Sequence, residues 1–272
     1  MDEYAEQQAH PELIAALHQH LVDRYLELAQ ALQLVAWHRD TCATWFFTTH
    51  PVPFCNGVVR TECSVTEIDP LITRITQEAQ KRQVPLLWLL GPASRPADLP
   101  QWLERHRVRY DETVSGMILD VRDLPEEEEQ LPHLSISLVE TAEQMESWLQ
   151  VLCTGFGFPE AVREVVFSLY RSYGFVPNAS RQYYLGTIDT IPVATSYLSL
   201  DGQLAGLYSV ATLAAYRRRG IGTKMTRAAL AEAKRLGYTQ ITLQASHMGE
   251  AIYRRLGFRK VCSFQTYVWM PV

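Results

Sequence analysis

The residues best suited to chemistry lie in one stretch, where arginines precede a pair of glycines. Residues 217–223 read Arg-Arg-Arg-Gly-Ile-Gly-Thr, between a strand-like segment at 208–213 and a helix-like one that runs to about residue 236. At such a junction the first amides of the helix converge, glycines let an anion approach the backbone, and the helix dipole adds positive potential. Arginines add charge-assisted hydrogen bonds to phosphate. The stretch therefore predicts a binding site for a diphosphate group.

Two other phosphate sites use glycines, and neither matches this stretch. The glycine spacing differs from the dinucleotide-binding fingerprint, and the preceding strand comes late in its half of the chain. No Lys-Ser or Lys-Thr pair follows the glycines, as a P-loop requires.

Two motifs, taken together, resemble the signatures of one enzyme superfamily. Arg217-x-x-Gly220-x-Gly222 resembles the Gln/Arg-x-x-Gly-x-Gly/Ala signature of the GNAT acetyltransferases. Residues 246–258, which end in Tyr253-Arg-Arg-Leu-Gly-Phe258, resemble the strand-to-helix segment of the same superfamily. The resemblance covers about half of the chain, from residue 134 to residue 272. It implies an acyl-CoA-dependent N-acyltransferase with an α/β fold built on a mixed sheet.

The resemblance also implies roles for individual residues. Acetyl-CoA is the implied acyl donor: its diphosphate binds the glycine loop, and its pantetheine arm enters a gap between two strands that splay apart. Tyr253 is the implied catalytic residue, a phenol that donates a proton to the departing CoA thiolate. The residues implied to contact acetyl-CoA are Val210, Ala211, Thr212, Arg217, Arg218, Arg219, Gly220, Ile221, Gly222, Thr223 and Ser246. The superfamily often has Asn at the place of Ser246, so this contact departs from the common pattern.

The sequence does not single out a base for the attacking amine. His247 lies next to the second motif, and Glu160 follows the turn at residues 155–159. A chain of water molecules is an alternative to both. The oxyanion that forms during attack needs no special side chain, because backbone N–H groups of a strand can stabilise it.

Both halves of the chain predict a similar order of elements. The first half predicts, in order, one or two helices at 12–35, strands at 43–48 and 54–61, a helix from Asp69 to 83, a strand at 84–90, a helix at 97–106 and a strand pair at 108–121. The second half predicts a strand at 135–139, helices at 141–156 and 159–173, strands at 182–188, 192–200 and 204–213, a helix from the glycine loop to 236, a strand at 239–245, a helix at 248–256 and two strand segments between 258 and 269. Asp201-Gly202 is a hairpin signal. The shared order predicts two tandem GNAT-like domains.

We expect the two domains to differ in function. The acidic run at residues 126–129 marks residues 125–132 as a linker between a domain at 1–124 and one at 133–272. The first domain has carboxylates, Glu67 and Asp69, where the glycine loop should be, and these would repel a diphosphate. The loop at 91–96 contains prolines, which lack N–H donors. The first domain is therefore predicted to be a degenerate, non-catalytic copy.

Composition excludes several classes of partner. The net charge of −5 and the pI near 5.9 argue against binding to nucleic acid or to a membrane surface. The first residues contain no basic region followed by an apolar stretch, so we expect a cytoplasmic protein without a targeting segment. The five cysteines are scattered, which favours reduced thiols, and no metal site is predicted; His10, His18 and His20 are expected to be solvated.

The expected function is transfer of an acetyl or short acyl group from acyl-CoA to a primary amine, by direct attack in a ternary complex. A small-molecule amine is the expected acceptor, and a monomer or homodimer the expected state. Two alternatives stay open at this point. One is a CoA-responsive regulatory protein that no longer catalyses, and the other is an acetyltransferase that acts on protein amines.

Overall fold

The computed structural model describes residues 11–124, 131–173, 180–200 and 204–272. Contacts divide the chain into two units, Met1–Ser115 with Val261–Val272, and Gly116–Lys260. The predicted domain bounds, 1–124 and 133–272, stay a prediction, and most of the predicted linker at 125–132 lies outside the described residues. The contact division assigns the last strand mainly to the first unit, because residues 265–269 pair with a strand of that unit.

In its described residues, the first unit consists of paired parallel and antiparallel strands with three α-helices. Its elements are α1 (Pro11–Ala31), β1 (Ala36–Arg39), β2 (Ala43–Phe47), β3 (Gly57–Thr61), α2 (Val65–Arg82), β4 (Leu86–Leu90), α3 (Leu99–Arg105), the first part of β5 (Arg109–Asp120) and most of β11 (Arg259–Trp269). The strand order is β1-β2-β3-β4-β11-β5, and the β3–β4 pair is parallel. The core is built around the fully buried Trp88 and the apolar face of α2.

Two predictions for the first unit are wrong. The helix predicted to begin at Asp69 begins at Val65, because Ser64 and Glu67 form a capping box and leave Pro70 inside the helix. The predicted strand pair at 108–121 is the single strand β5. The predictions for the other elements are confirmed within a few residues, except that β1 was not predicted.

The prediction that all five cysteines are reduced is also wrong. Cys42 and Cys63 form a disulfide across a sequence separation of 21 residues. The antiparallel register aligns Ala43 of β2 with Thr61 of β3, so the residues just beyond this pair face each other, with a Cα–Cα distance of 4.6 Å. Cys55, Cys153 and Cys262 lie outside this disulfide and are buried.

In its described residues, the second unit consists of paired parallel and antiparallel strands with four α-helices. Its elements are the end of β5, then β6 (Leu134–Leu138), α4 (Ala142–Phe156), α5 (Glu160–Tyr173), β7 (Arg181–Ile188), β8 (Ile191–Ser199), β9 (Ala205–Thr212), α6 (Ile221–Arg235), β10 (Gln240–Ala245) and α7 (His247–Arg255). The strand order is β5-β10-β9-β8-β7-β6, and the β9–β10 pair is parallel. The predicted α/β class with a mixed sheet is confirmed.

Local signals explain where the helices of the second unit begin and end. The Thr141 side chain accepts a hydrogen bond from the Gln144 amide at 3.2 Å, and the Gln144 side chain bonds back, so a capping box starts α4. Gly157 ends this helix with a φ of 69°. The two closing strand segments predicted between 258 and 269 are the single strand β11. The predicted hairpin signal Asp201-Gly202 lies outside the described residues.

Within the described ranges, none of the helices combines the length and the apolar character that a membrane span requires.

Candidate active site

The site is organised around the segment that joins β9 to α6. A short 3-10 turn, Ala214–Tyr216, follows β9, and α6 begins at Ile221 with Gly220 as its N-cap. Gly220 has a φ of 77°, a left-handed conformation that glycine adopts without steric cost. The structure therefore places the glycine loop at the start of a helix, as the sequence predicts.

The backbone N–H groups at the start of α6 have no backbone hydrogen-bond acceptor among the described residues. In the described part of the chain, no backbone oxygen accepts a hydrogen bond from the N–H groups of residues 218–223, whereas Lys224 N donates to Gly220 O at 3.1 Å. Among the described residues outside α6, the atom that a Cβ built on Gly222 would approach is Thr212 Oγ1, at 3.8 Å. The Gly222 backbone is thus open to an incoming group. Free N–H donors at the positive end of a helix form an anion-binding site.

The arginines before Gly220 are exposed but do not share one role. The Arg217 guanidinium donates to Thr212 O at 3.0 Å and to Gly155 O at 2.6 Å, so it ties the end of β9 to the end of α4. Arg219 lies over the ring of Tyr216, 5.3 Å from its centroid. Arg218 has a φ of 61° and, among the described residues, no ion-pair partner. Arg218 and Arg219 are thus available to bind phosphate, whereas Arg217 stabilises the conformation of the loop.

This difference can be tested with paired substitutions. Arg217→Gln should lower the apparent melting temperature by about 2–4 °C, since it removes charged hydrogen bonds to backbone oxygens worth roughly 1 kcal/mol at an exposed position. Arg218→Gln should leave the melting temperature unchanged and weaken acetyl-CoA binding about threefold. Thermal unfolding and calorimetry measure the two effects. Equal melting temperatures for the two variants would contradict the role of Arg217.

The strands next to the loop diverge. The register joins β10 to β9 at Ala205 and Gly206, and from Leu207 onward no residue of β9 has a β10 partner among the described residues. Leu213 N donates to Val193 O of β8 at 2.9 Å. By strand alternation, Thr212 and Val210 turn their backbone groups to the side of β10, whereas the backbone of Ala211 faces β8. The opening therefore offers unpaired strand amides next to the anion-binding loop.

The opening contains an irregularity that the sequence did not predict. Thr195 pairs with Ala211 and Tyr197 with Tyr208, so Ser209 and Val210 together stand opposite one residue of β8. This arrangement is a β-bulge, and Ser209 has a φ of 53°. Serine carries no sequence signal for a left-handed backbone, so only the structure reveals the bulge.

Tyr253 and Ser246 meet at the start of α7. A Cβ built on Gly249 would lie 3.1 Å from Tyr253 Cε2 and 3.6 Å from Ser246 Oγ, so both side chains border the same glycine. The half-buried ring of Tyr253 packs edge-on against Phe258, with centroids 5.7 Å apart. Burial raises the pKa of Tyr253 to about 12, so the phenol keeps its proton at neutral pH. Ser246 is exposed and is the N-cap of α7.

Both candidate bases, His247 and Glu160, are exposed to solvent rather than enclosed in the site. His247 is exposed at the first position of α7. Glu160 is 83% exposed, and its carboxylate lies 3.6 Å from Arg163 Nε. Near Glu160, the rings of Phe156 and Phe158 stack with centroids 5.4 Å apart, and Phe156 is half exposed. The structure therefore singles out neither residue as the base for the attacking amine.

A shallow groove of about 640 Å³ lies along α4. It is lined by Ala142, Glu143, Glu146, Ser147, Gln150, Val151, Thr154, Pro192 and Leu213. The two carboxylates in this lining would repel phosphate, so the groove is not an extension of the diphosphate site.

In the first unit, side chains occupy the positions that correspond to the anion-binding loop and to the strand opening. The Glu67 carboxylate accepts from Ser64 N at 3.0 Å, so a negative charge occupies the start of α2. The register joins β3 to β4 at Gly57 and Val58. Beyond this pair, the His18 ring hydrogen-bonds to the Val59 backbone and packs on Gly91, whose built Cβ would lie 2.9 Å from His18 Cε1. An imidazole therefore takes the space that opens between β3 and β4.

The expectation that the helix histidines are solvated is therefore wrong. His18 is 7% exposed and His20 is 9% exposed, because both lie on the face of α1 that packs on the unit. Burial lowers the pKa of His18, which keeps the imidazole neutral. His10 lies outside the described residues. Among the described residues, no group of three His, Cys, Asp or Glu side chains is arranged to hold a metal ion.

We accordingly expect one acetyl-CoA molecule per chain. The first unit presents a carboxylate at its helix start and an imidazole in its strand gap, and neither accommodates a diphosphate or a pantetheine arm. Isothermal calorimetry on the intact protein measures the stoichiometry directly. A value near two would show that the first unit binds the thioester in spite of Glu67 and His18.

Comparisons with known proteins agree with this geometry. The sequence profile of the acetyltransferase (GNAT) domain matches residues 180–260. The chain is similar to a GCN5-related N-acetyltransferase from Kribbella flavida, with a TM-score of 0.72 and 18% identity over 92% of this chain and 94% of that one. It is also similar to a functionally unknown conserved protein from Staphylococcus epidermidis ATCC 12228, with a TM-score of 0.70 and 11% identity over 86% and 93% of the two chains.

A tandem GNAT protein from the clavulanic acid biosynthesis pathway has a TM-score of 0.59 and 13% identity, over 85% of this chain and 81% of its own. At these identities, similarity to the solved structures is evidence for the fold. A search of curated protein sequences found no match.

The fold and the loop geometry are of the GNAT type. Residues 180–260 match the acetyltransferase (GNAT) domain, in agreement with the predicted family, and the similar solved structures confirm the predicted fold class.

Proposed function

We propose that this protein transfers an acetyl or short acyl group from acyl-CoA to a primary amine, by direct attack in a ternary complex. One observation supports the proposal most strongly. The open amides of Gly220 to Thr223 lie next to the opening between β9 and β10. One extended ligand can therefore place its diphosphate on these amides and its arm in the opening. Acetyl-CoA has this shape and charge.

The described residues divide the binding of acetyl-CoA among them. The loop from Arg217 to Thr223 holds the diphosphate through backbone N–H groups, and Arg218 and Arg219 add charge for further phosphate. The backbone groups of Thr212 and the backbone carbonyl of Val210 pair with the amides of the pantetheine arm, which leaves the Val210 N–H for the thioester. The Ser246 hydroxyl offers one more hydrogen bond near the thioester. Ala211 contributes by packing, since its backbone faces β8.

Tyr253 assists the departure of the thiolate as a hydrogen-bond donor. Complete proton transfer from a phenol with a pKa of about 12 to a thiolate, whose thiol has a pKa of about 8.5, is uphill by roughly 5 kcal/mol. A hydrogen bond from the phenol stabilises the developing charge without this cost. The proton that ends on sulfur then derives from the attacking nitrogen, which becomes an ammonium when it forms its bond to carbon.

Direct attack is the simplest mechanism because Cys153, the cysteine among the described residues of the second unit, is not an activated nucleophile. Burial raises the pKa of Cys153 to about 11, so this residue stays a thiol at neutral pH. A protonated, buried thiol is a poor nucleophile. An acyl-enzyme intermediate at Cys153 is therefore disfavoured.

The acceptor is proposed to be a small-molecule amine, and the protein to act in the cytoplasm as a monomer or homodimer. The net charge of −5 favours a cationic acceptor over nucleic acid or an anionic membrane. No metal ion takes part in the proposed chemistry.

The proposal is tested by incubating the protein with acetyl-CoA and a panel of amines, amino acids, polyamines, aminoglycosides and peptides. Release of free CoA thiol and the mass of the acetylated product are the measurements, and acetyl-CoA without amine is the control. We expect amine-dependent thiol release. Binding of acetyl-CoA without release for any amine would support a CoA-responsive regulatory protein instead, and absence of binding would refute both.

A further inference from the structure

The β-bulge in β9 includes a backbone conformation that neighbouring residues must stabilise. Ser209 has a φ of 53°, a left-handed conformation that costs a residue with a side chain roughly 1–2 kcal/mol. Such a conformation persists only when the surrounding structure enforces it. The enforcing contacts therefore decide where the next residue, Val210, directs its N–H group.

Two side chains hold Ser209 from neighbouring elements. The Tyr170 hydroxyl on α5 lies 2.9 Å from Ser209 Oγ. Thr195 Oγ1 on β8 donates to Ser209 O at 2.8 Å. One contact fixes the side chain and the other fixes the carbonyl, so the peptide plane between Ser209 and Val210 has little freedom to rotate.

Tyr170 itself is rigidly placed. The residue is 8% exposed, and its ring packs in a cluster with four other aromatic rings. The centroid distances are 4.9 Å to Trp148, 5.8 Å to Tyr183, 6.0 Å to Tyr173 and 6.3 Å to Tyr197. Because the packed ring has little freedom to move, its hydroxyl is a rigid hydrogen-bonding partner for Ser209 in the bulge.

We propose that Tyr170 is a positioning residue for acyl transfer. Its hydroxyl holds Ser209 in the left-handed conformation and thereby aims the Val210 N–H at the carbonyl oxygen of the thioester. This inference rests on the proposed function, because it assigns the Val210 amide to the oxyanion of that reaction. Preorganised donors of this kind act on the transition state more than on binding.

The first test compares two tyrosine-to-phenylalanine variants. Tyr170→Phe keeps the ring and removes the hydroxyl, and we expect kcat to fall about 10- to 100-fold with an acetyl-CoA Kd within about threefold of wild type. Tyr184→Phe is the matched control, since Tyr184 is also 8% exposed, lies in the same unit and donates its hydroxyl to a side chain, Gln182. The control should retain wild-type kcat.

Double variants separate positioning from general packing. If the hydroxyl acts through Ser209, Tyr170→Phe combined with Ser209→Ala should be no slower than the slower single variant. Combining Tyr170→Phe with Ser209→Gly should recover part of the lost kcat, because glycine adopts the left-handed conformation unaided. A loss of packing would not be rescued by a change at residue 209.

A readout without turnover completes the test. In the wild type, the Val210 amide proton should shift further downfield with acetyl-CoA than with CoA, since only the thioester carries the carbonyl. Tyr170→Phe should reduce this difference, and Tyr184→Phe should keep it. A Tyr170→Phe variant with normal kcat and a normal shift overturns this inference alone. A wild-type protein that does not bind acetyl-CoA overturns the proposed function together with it.

Discussion

Replacing Tyr253 with phenylalanine should lower kcat about 100-fold while leaving the affinity for acetyl-CoA nearly unchanged. The substitution removes only the hydroxyl, and the ring keeps its edge-on contact with Phe258. The hydroxyl is needed when negative charge develops on sulfur, not when the thioester binds. Steady-state kinetics and calorimetry measure the two effects separately, and the fold is checked by thermal unfolding.

Tyr238→Phe is the matched control for this experiment. Tyr238 belongs to the same unit, and its hydroxyl donates to the carbonyl of Leu200, a structural contact. Its removal should leave kcat unchanged. The pH profile adds a further check: because the pKa of Tyr253 is raised to about 12, the hydroxyl stays protonated and kcat should not fall between pH 7 and pH 10. Equal kcat values for the wild type and Tyr253→Phe would remove Tyr253 from the mechanism.

Replacing Gly222 with aspartate should abolish detectable acetyl-CoA binding without destabilising the protein. The structure has room for a Cβ at this position, where Thr212 Oγ1, at 3.8 Å, is the nearest atom of another element among the described residues. An acidic side chain in the first turn of a helix interacts favourably with the helix dipole, so the melting temperature should stay constant or rise. The same carboxylate would stand where the diphosphate binds. We expect the Kd to rise at least 100-fold, or about 3 kcal/mol.

Ala142→Asp is the control for the added charge. Ala142 is exposed at the first position of α4, so its substitution also places an acidic residue at a helix start of the same unit. It should leave the Kd for acetyl-CoA within about twofold of wild type, since the amides of α4 are not part of the proposed site. Normal acetyl-CoA binding by Gly222→Asp would place the diphosphate somewhere other than the start of α6.

The sequence predicted those parts of the site that depend on local signals. A strand, two glycines and a helix are encoded within a few residues of one another, so the turn from β9 into α6 could be predicted without tertiary information. The same holds for the Thr141 cap of α4 and for the start of α7 at the second motif. The mixed sheet followed from the order of elements in the two halves.

The parts that could not be predicted depend on contacts between distant residues. Cys42 and Cys63 meet only because β2 and β3 pair in one particular register, which the cysteine spacing does not show. His18 is buried because its face of α1 packs on the first unit, where the ring contacts Gly91 and the Val59 backbone. The left-handed Ser209 depends on Tyr170 and Thr195, two residues on other elements. In each case tertiary structure overrides the preference of the residue type.

The position of β11 has a consequence for how the chain is made. β11 lies between β4 and β5 in the first unit, although its residues are synthesised after the whole of the second unit. On the ribosome, the first unit therefore lacks a central strand until residue 269 has been added, and its sheet can close only late in synthesis. A fragment ending at residue 115 would keep this vacancy permanently and would expose the unpaired edges of β4 and β5 to aggregation.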